Sequence, residues 1–292
     1  LNWYDIHQRS LPWRKKTSLK KKQYYTLVSE FMLQQTQVAT VIPYFNRFIK
    51  HIPNLEVLAK YDDQKLIKLW EGLGYYSRVK NLKKTAQIVI KDFKKNLPDN
   101  TLDLKSLPGI GDYTANAIMA IAFNKPVIPL DGNIERVLKR YLYLKNENQI
   151  HKDNLIKQKK IFGTSLRSSD YAQALMELGA LICKPINPYC ERCPISGKCK
   201  SFKKKDFVLI KFKKNNKEKY YLLKVFKKDK KYLLVKNKNF NFLKNLDIFP
   251  MQEIIKPKNF DHNLNFKMSN MNMNIKIQTN KANKPLPFSY WI

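Results

Sequence analysis

Leu107-Pro108-Gly109-Ile110-Gly111-Asp112-Tyr113, running on into the small-residue stretch 114–122, is the segment on which the fold turns. Two glycines beside a proline make a tight connection between helices. With no Cβ on Gly109 or Gly111, backbone N–H groups can approach a phosphate closely at the start of the second helix. That is the logic of a helix–hairpin–helix, which grips a nucleic-acid backbone without reading its sequence. An ordinary glycine-rich helix connection has the same composition, so the motif alone leaves both readings open.

The flanking sequence is helical. Val38, Val41, Ile42, Phe45, Phe48 and Ile49 fall on one helical face, with Pro43 inside it as a kink or a mark of the early turns. Val79, Leu82, Ala86, Val89, Ile90 and Phe93 form a second stripe, closed by Pro98. Ile134, Val137, Leu138, Tyr141 and Leu142 form a third, and Tyr171, Ala174, Leu175, Leu178, Leu181 and Ile182 a fourth. After Cys199 the composition breaks: Lys200, Lys203, Lys204 and Lys205 read as a basic linker. Beyond it, 220–226 and 232–235 form a hairpin through Lys227, Lys228, Asp229 and Lys230. Met271, Met273, Ile275 and Ile277 alternate with Asn272, Asn274 and Lys276, a half-buried strand. All eight glycines lie at or before Gly197, so the second domain must turn its corners with Asn and Asp. The expectation is a helical domain over 1–205 and a small β-rich domain over 206–292.

Bulk properties narrow the partners. Lys and Arg number 56 against 23 Asp and Glu, a formal net charge of +33, which attracts polyanions. The excess is mostly lysine and accompanies abundant Asn, Ile and Phe, so compositional drift accounts for about half of it. No stretch nears the ~20 uninterrupted apolar residues of a membrane span, and none resembles a signal-peptide core. A soluble intracellular protein without a membrane partner is expected.

Four cysteines lie in 183–199 and nowhere else: Cys183-x6-Cys190-x2-Cys193-x5-Cys199. A secreted disulfide framework spreads its bridges, whereas this cluster reads as one metal site. Pro185, Pro188 and Pro194 stiffen the intervening loops. By spacing, zinc and a [4Fe–4S] cluster are both open, since each takes four thiolates. Two carboxylates complete the candidate chemistry. Asp131, in Leu130-Asp131-Gly132-Asn133, precedes a helix and reads as an N-cap. Glu30 opens the acid–amide run Glu30-Phe31-Met32-Leu33-Gln34-Gln35-Thr36-Gln37 and, alone, is a solvated helix residue. A carboxylic acid plus a carboxylate is also the equipment for breaking a glycosidic bond.

Leu11-Pro12-Trp13, Met32-Leu33-Gln34-Gln35-Thr36-Gln37-Val38, Gly72-Leu73-Gly74-Tyr75-Tyr76, Leu107-Pro108-Gly109-Ile110-Gly111, Leu130-Asp131-Gly132-Asn133 and the cysteine spacing occur in that order. Together they resemble the MutY adenine DNA glycosylases, within the helix–hairpin–helix superfamily that includes endonuclease III; the match covers nearly all of 1–200. The resemblance implies a mainly α fold of two helical lobes, and a [4Fe–4S] cluster on Cys183, Cys190, Cys193 and Cys199. It implies base-excision repair, with adenine opposite 8-oxoguanine or guanine extruded from double-stranded DNA and its N-glycosidic bond hydrolysed. Glu30 matches the general acid that protonates adenine N7, and Asp131 the carboxylate that stabilises the oxocarbenium-like sugar. Asn133 and Tyr113 match supporting residues. Leu33, Gln35 and Thr36 match positions near the lesion, Tyr75 the wedge beside 8-oxoguanine, and Gly109 and Gly111 the hairpin on the backbone. Endonuclease III-type members carry a Schiff-base lysine where this chain has Tyr113, which implies a monofunctional enzyme that leaves an abasic site.

Residues 206–292 resemble the family's C-terminal α+β, Nudix-like domain more loosely. The hairpin at Tyr220-Tyr221-Leu222-Leu223 and Lys231-Tyr232-Leu233-Leu234 and the following Ile248-Phe249-Pro250 carry the likeness. A metal-binding Nudix box is missing: this stretch has no glycine, and only Glu218 and Glu253 as glutamates. Where the family reads 8-oxoguanine with Phe-Ser-His, this chain has Met268-Ser269-Asn270, leaving Ser269 as the candidate lesion contact. The chain starts at Leu1 and stops at Tyr290-Trp291-Ile292, short of the family's usual end, which reads as truncation. A cytoplasmic, nucleoid-associated monomer is the expectation.

Overall fold

A computed structural model describes residues 1–145, 165–208, 217–240, 242–243, 246–256, 261–262, 264–268, 271–281 and 289–291. The chain divides into two compact units, Leu1–Ile210 and Lys211–Ile292.

The first unit is helical: α1 Asn2–His7, α2 Leu19–Leu33, α3 Val38–His51, α4 Leu55–Lys60, α5 Asp63–Trp70, α6 Ser77–Asp92, α7 Thr101–Ser106, α8 Asp112–Ile121, α9 Gly132–Leu142, α10 Ser168–Glu177 and α11 Lys200–Lys203. Asn54, Asp62 and Asn100 cap α4, α5 and α7, each side chain accepting a backbone N–H at 2.9 Å; such a cap contributes about 1 kcal/mol. Pro43 lies inside α3, which nevertheless continues to His51. Among the described residues, no helix is long and apolar enough to cross a membrane.

Separate apolar cores make two lobes. One gathers Leu27, Val28 and Phe31 of α2, Phe45 and Phe48 of α3, Trp70 of α5, and Val79, Leu82 and Val89 of α6. The other is smaller: Ile134 and Leu138 of α9 pack with Ile128 and Leu175, while Val137 packs with Leu178 and Ile182. The fourth sequence stripe is not one regular helix. After Glu177 the backbone widens into a π-helical turn, Leu178–Ile182, so Ala172, Leu175, Leu178 and Ile182 are buried while Ala174 and Leu181 are only partly covered. Gly179 lies in that turn, where a Cβ would come within 2.6 Å of the Asn133 side chain. The lysine stretch after Cys199 is not a free linker either. It forms α11 with Ser201 buried, and Asp206 and Phe207 are tied back by Tyr143, Lys145 and Arg140.

In the second unit the strands are β1 Lys217–Lys228, β2 Lys231–Lys236, β3 Asp247–Ile248, β4 Met251–Ile254, β5 Leu264–Met268, β6 Met271–Lys281 and β7 Ser289–Trp291. They run in the order β3-β2-β1-β6-β5, with β4 on β1 and β7 on β2. Strands β1 and β6 are parallel from Lys217↔Met271 to Lys227↔Lys281. The β1–β2 turn is two residues, tighter than the four expected, because Lys228 pairs Lys231 and Asp229 takes a left-handed φ of 52°. Tyr221, Met273 and Ile275 form the small core, with Phe240 and Phe242 edge-on to Tyr221. Asn274, placed by alternation on the solvent side, is buried. It donates to Glu218 at 2.8 Å and accepts from Asn265 at 2.9 Å, because β6 has a neighbour on either side. The described residues of this unit contain strands and loops, with no helix for the α part of the expected α+β domain.

Candidate active site and hairpin

Helix α2 carries Glu30 on its inner face, between the core residues Leu27 and Phe31 and next to a cleft of about 990 Å³. Glu30 is 5% exposed, and its Oε2 has no hydrogen-bond partner. Burial pushes its carboxyl up to about 7; the nearby Tyr113 hydroxyl opposes this by hydrogen bonding, and the Asp131 charge adds to it. Glu30 thus keeps its proton far more readily than an exposed carboxyl, as a general acid must.

Asp131 faces the same cleft from the second lobe. It caps α9: Oδ1 accepts the Ile134 N–H at 2.6 Å, and Oδ2 accepts from Asn133 Nδ2 at 3.1 Å. Burial raises its pKa, and these hydrogen bonds together with Arg136 pull it back. The N-cap reading and the cleft position therefore describe one residue doing both. Asn133 is itself held, its Oδ1 accepting from Arg136 Nη2 at 2.8 Å, and the same guanidinium reaches the Gly179 and Cys183 carbonyls at 2.7 Å.

Of the sequence-predicted residues, Glu30, Tyr113, Asp131, Asn133, Leu33, Gln35 and Thr36 line this one cleft. Tyr75 does not; it stands 62% exposed on the 72–76 loop with a left-handed φ of 47°. Gly109 and Gly111 form the connection between α7 and α8. Gly109 has φ 80°, and a Cβ there would meet Phe31 at 2.8 Å and Asn81 at 3.0 Å, so this position requires glycine twice over. Gly111 is the N-cap of α8, with open space where a side chain would stand. Ser269 lies outside the described residues.

Cys183, Cys190, Cys193 and Cys199 all line one small apolar pocket beneath α9, walled by Val137, Leu178 and Ile182. Burial pushes the Cys193 thiol up to about 11, and the other three cysteines add to the shift. Arg140 donates to Cys183 Sγ at 3.5 Å, and Cys199 Sγ donates to the Arg140 carbonyl at 3.6 Å. Among the described residues, no three His, Cys, Asp or Glu side chains converge on a single metal ion.

Known proteins align with this arrangement. The model of the HhH-GPD superfamily of base excision DNA repair proteins matches residues 28–159. The adenine DNA glycosylase of Buchnera aphidicola subsp. Baizongia pistaciae is 40% identical over 256 residues, covering 86% of this chain and 72% of that protein. The chain belongs to the adenine DNA glycosylases. The adenine DNA glycosylase of Rattus norvegicus is 40% identical over 208 residues, 69% of this chain and 40% of that protein. Among solved structures, a thermostable thymine-DNA glycosylase superposes with a TM-score of 0.62 at 29% identity, covering 70% of this chain and 93% of that one. An endonuclease III–DNA complex superposes at 0.56 and 20% identity, which shows the helix–hairpin–helix fold alone.

Sequence reasoning missed part of this adenine DNA glycosylase cleft. Glu177 is fully buried and accepts from Arg9 at 2.8 and 2.9 Å and from Arg14 at 2.8 Å, both arginines lining the cleft. Its signal was there: Glu177 is the one charged residue in the apolar run 171–182. Arg78 left a fainter trace, an arginine two places after Tyr75-Tyr76 in the first turn of α6.

Proposed function

We propose that this chain removes adenine mispaired with 8-oxoguanine or guanine from double-stranded DNA, hydrolysing the N-glycosidic bond and leaving an abasic site. The observation that carries the reading is a buried Glu30 poised at about 7 across one cleft from a hydrogen-bonded Asp131. Adenine is a poor leaving group until protonated. Glu30 delivers its proton to N7 of the extruded base, and the glycosidic electron pair leaves with the purine. Asp131, ionised, stabilises the positive sugar until water adds to C1′ and gives up its proton to the Glu30 carboxylate, which restores the acid. Tyr113 holds the Glu30 carboxyl and offers no amine, so no Schiff base forms at this position. Gly109 and Gly111 hold the DNA backbone, while Leu33, Gln35, Thr36 and Tyr75 work around the lesion. In this reading the helical unit is the glycosylase domain. The sheet unit is a Nudix-like lesion reader through Ser269.

The four cysteines suit a [4Fe–4S] cluster. Four thiols share one apolar pocket, and burial pushes the Cys190 and Cys193 thiols up, which disfavours their ionisation without a cation beside them. Zinc also takes four thiolates, and the resemblance of the cysteine spacing to that of the cluster-bearing glycosylases favours the cluster. A bound cluster supplies folding energy to the 183–199 loop and holds it against α9. Iron and sulfide at four each per chain support this assignment; one zinc per chain overturns it.

A single-turnover assay on duplexes with central 8-oxoguanine·A, G·A, G·T or oxidised-pyrimidine pairs tests the function. Breaks that appear only after alkali, fastest with 8-oxoguanine·A, are expected. Breaks without alkali, or faster release from another pair, overturn it.

A further inference from the structure

We infer that Arg78 is a positioning residue that locks the 34–37 and 72–76 loops to each other, so that both enter a duplex as one wedge. The inference rests on the function proposed above. Arg78 is 6% exposed in the first turn of α6. The two N–H groups of its Nη1 are shared among four oxygens, the carbonyls of Phe31 at 3.2 Å, Met32 at 2.8 Å and Gln34 at 2.5 Å, and Thr36 Oγ1 at 3.1 Å. Its Nη2 donates to the Leu73 carbonyl at 2.9 Å and the Gly74 carbonyl at 3.2 Å. The guanidinium also lies over the rings of Tyr75 and Trp70, 5.4 and 5.5 Å from their centroids. One cation thus closes the end of α2, holds the amide run that follows and stacks on the exposed tyrosine.

Three features make this a coupling device. The last carbonyls of α2 are the negative end of its dipole, and the helix has no basic residue in its own last turn. Arg78 supplies that charge from another helix. Each loop also holds a non-glycine residue in the left-handed region, Gln35 at φ 58° and Tyr75 at φ 47°, and both side chains are exposed. Such conformations persist only where the surroundings over-determine them, and here the surroundings are the two arms of one guanidinium. A lysine, a single point of charge, cannot serve both arms. Finally, Gln34 donates to the Gly109 carbonyl at 3.3 Å, which extends the same cluster to the hairpin.

The test uses the full chain and reads extrusion separately from chemistry. 2-Aminopurine placed opposite 8-oxoguanine reports unstacking by fluorescence; single-turnover excision is followed in parallel. Arg78→Lys is expected to lower both by roughly a hundredfold on a paired duplex. Adenine facing an abasic-site analogue, already unstacked, is expected to stay within about threefold of wild type. The pH profile of excision does not move, because Glu30 is untouched. Equal losses on both substrates, or wild-type extrusion, overturn the inference. Should Arg78→Lys fail to fold, Thr36→Val and Tyr75→Leu carry the test: their effects on extrusion must combine less than additively, and additive effects overturn it. A wild-type chain that extrudes the base but releases no adenine contradicts the proposed function and leaves the wedge standing.

Discussion

The two walls of the cleft present the same functional group in opposite circumstances. Glu30 stands mid-helix, where every backbone N–H nearby is already used within the helix, so its carboxyl meets apolar neighbours and one tyrosine hydroxyl. Asp131 stands at a helix start, where free N–H groups and the Asn133 amide solvate a negative charge. Burial raises both carboxyls, and position along a helix decides how many hydrogen bonds pull each one back. One functional group at two helical addresses yields an acid and a carboxylate.

The largest test of this contrast is loss of either group. Glu30→Gln and Asp131→Asn are each expected to cut single-turnover adenine release by about a thousandfold or more while sparing DNA binding. If Asp131→Asn costs under about tenfold, the walls are not two halves of one mechanism. Next comes pH. Excision is expected to fall about tenfold per unit above pH 7 as Glu30 loses its proton, and to fall again in acid as Asp131 gains one. A profile flat from pH 7 to 9 contradicts the assignment of Glu30.

Asn133→Leu sharpens the comparison by making the second wall resemble the first. Stripped of one hydrogen bond, Asp131 ionises less readily, and the acid limb is expected to move to higher pH while the alkaline limb stays. Movement of both limbs together breaks the separation.

Stability provides the smallest effect, with opposite signs on the two walls. Folding lifts Glu30 from 4.5 to about 7, so the folded chain holds that proton more tightly than the unfolded one. The resulting penalty is absent below pH 4.5 and complete above 7, at most roughly 3 kcal/mol from 1.36 kcal/mol per unit. Glu30→Gln should therefore raise the melting temperature by several degrees at pH 8 and leave it unchanged at pH 4. Asp131→Ala removes a cap and should lower stability by about 1 kcal/mol. Melts showing the same sign for both variants refute the contrast.

The same distinction between local and distant causes explains what could be read in advance. Helix α3, helix α6, the glycine hairpin and the cap at Asp131 depend on neighbours in sequence, and their residues announce them. The Arg9–Glu177 pair joins residues 168 apart, and Arg78 reaches back more than forty residues to the end of α2. A guanidinium whose partners are backbone carbonyls leaves no complementary residue type to search for. The turn at Leu178–Ile182 escaped because a π-helical register keeps an apolar composition while shifting its period. Alternation misplaced Asn274 for a similar reason: period two gives the face, and says nothing of the Glu218 and Asn265 side chains from the neighbouring strands that bond to it there.

The buried Glu177 also bears on the order in which the molecule can be made. The buried residues of the larger apolar core all lie between Tyr24 and Ala122, so that lobe draws its core from one contiguous stretch of chain. The smaller lobe needs both ends of the unit. Tyr4, Arg9 and Arg14 are synthesised first, yet the guanidinium groups wait for a carboxylate more than 160 residues later. Until then, Arg9 and Arg14 lack the carboxylate that holds them at the cleft, and the Asp5–Arg167 pair is another tie from this segment to the later helices. Closing that long loop is the entropically costly step of the helical unit. A nascent chain halted before residue 131 would thus present Glu30 without the opposing Asp131.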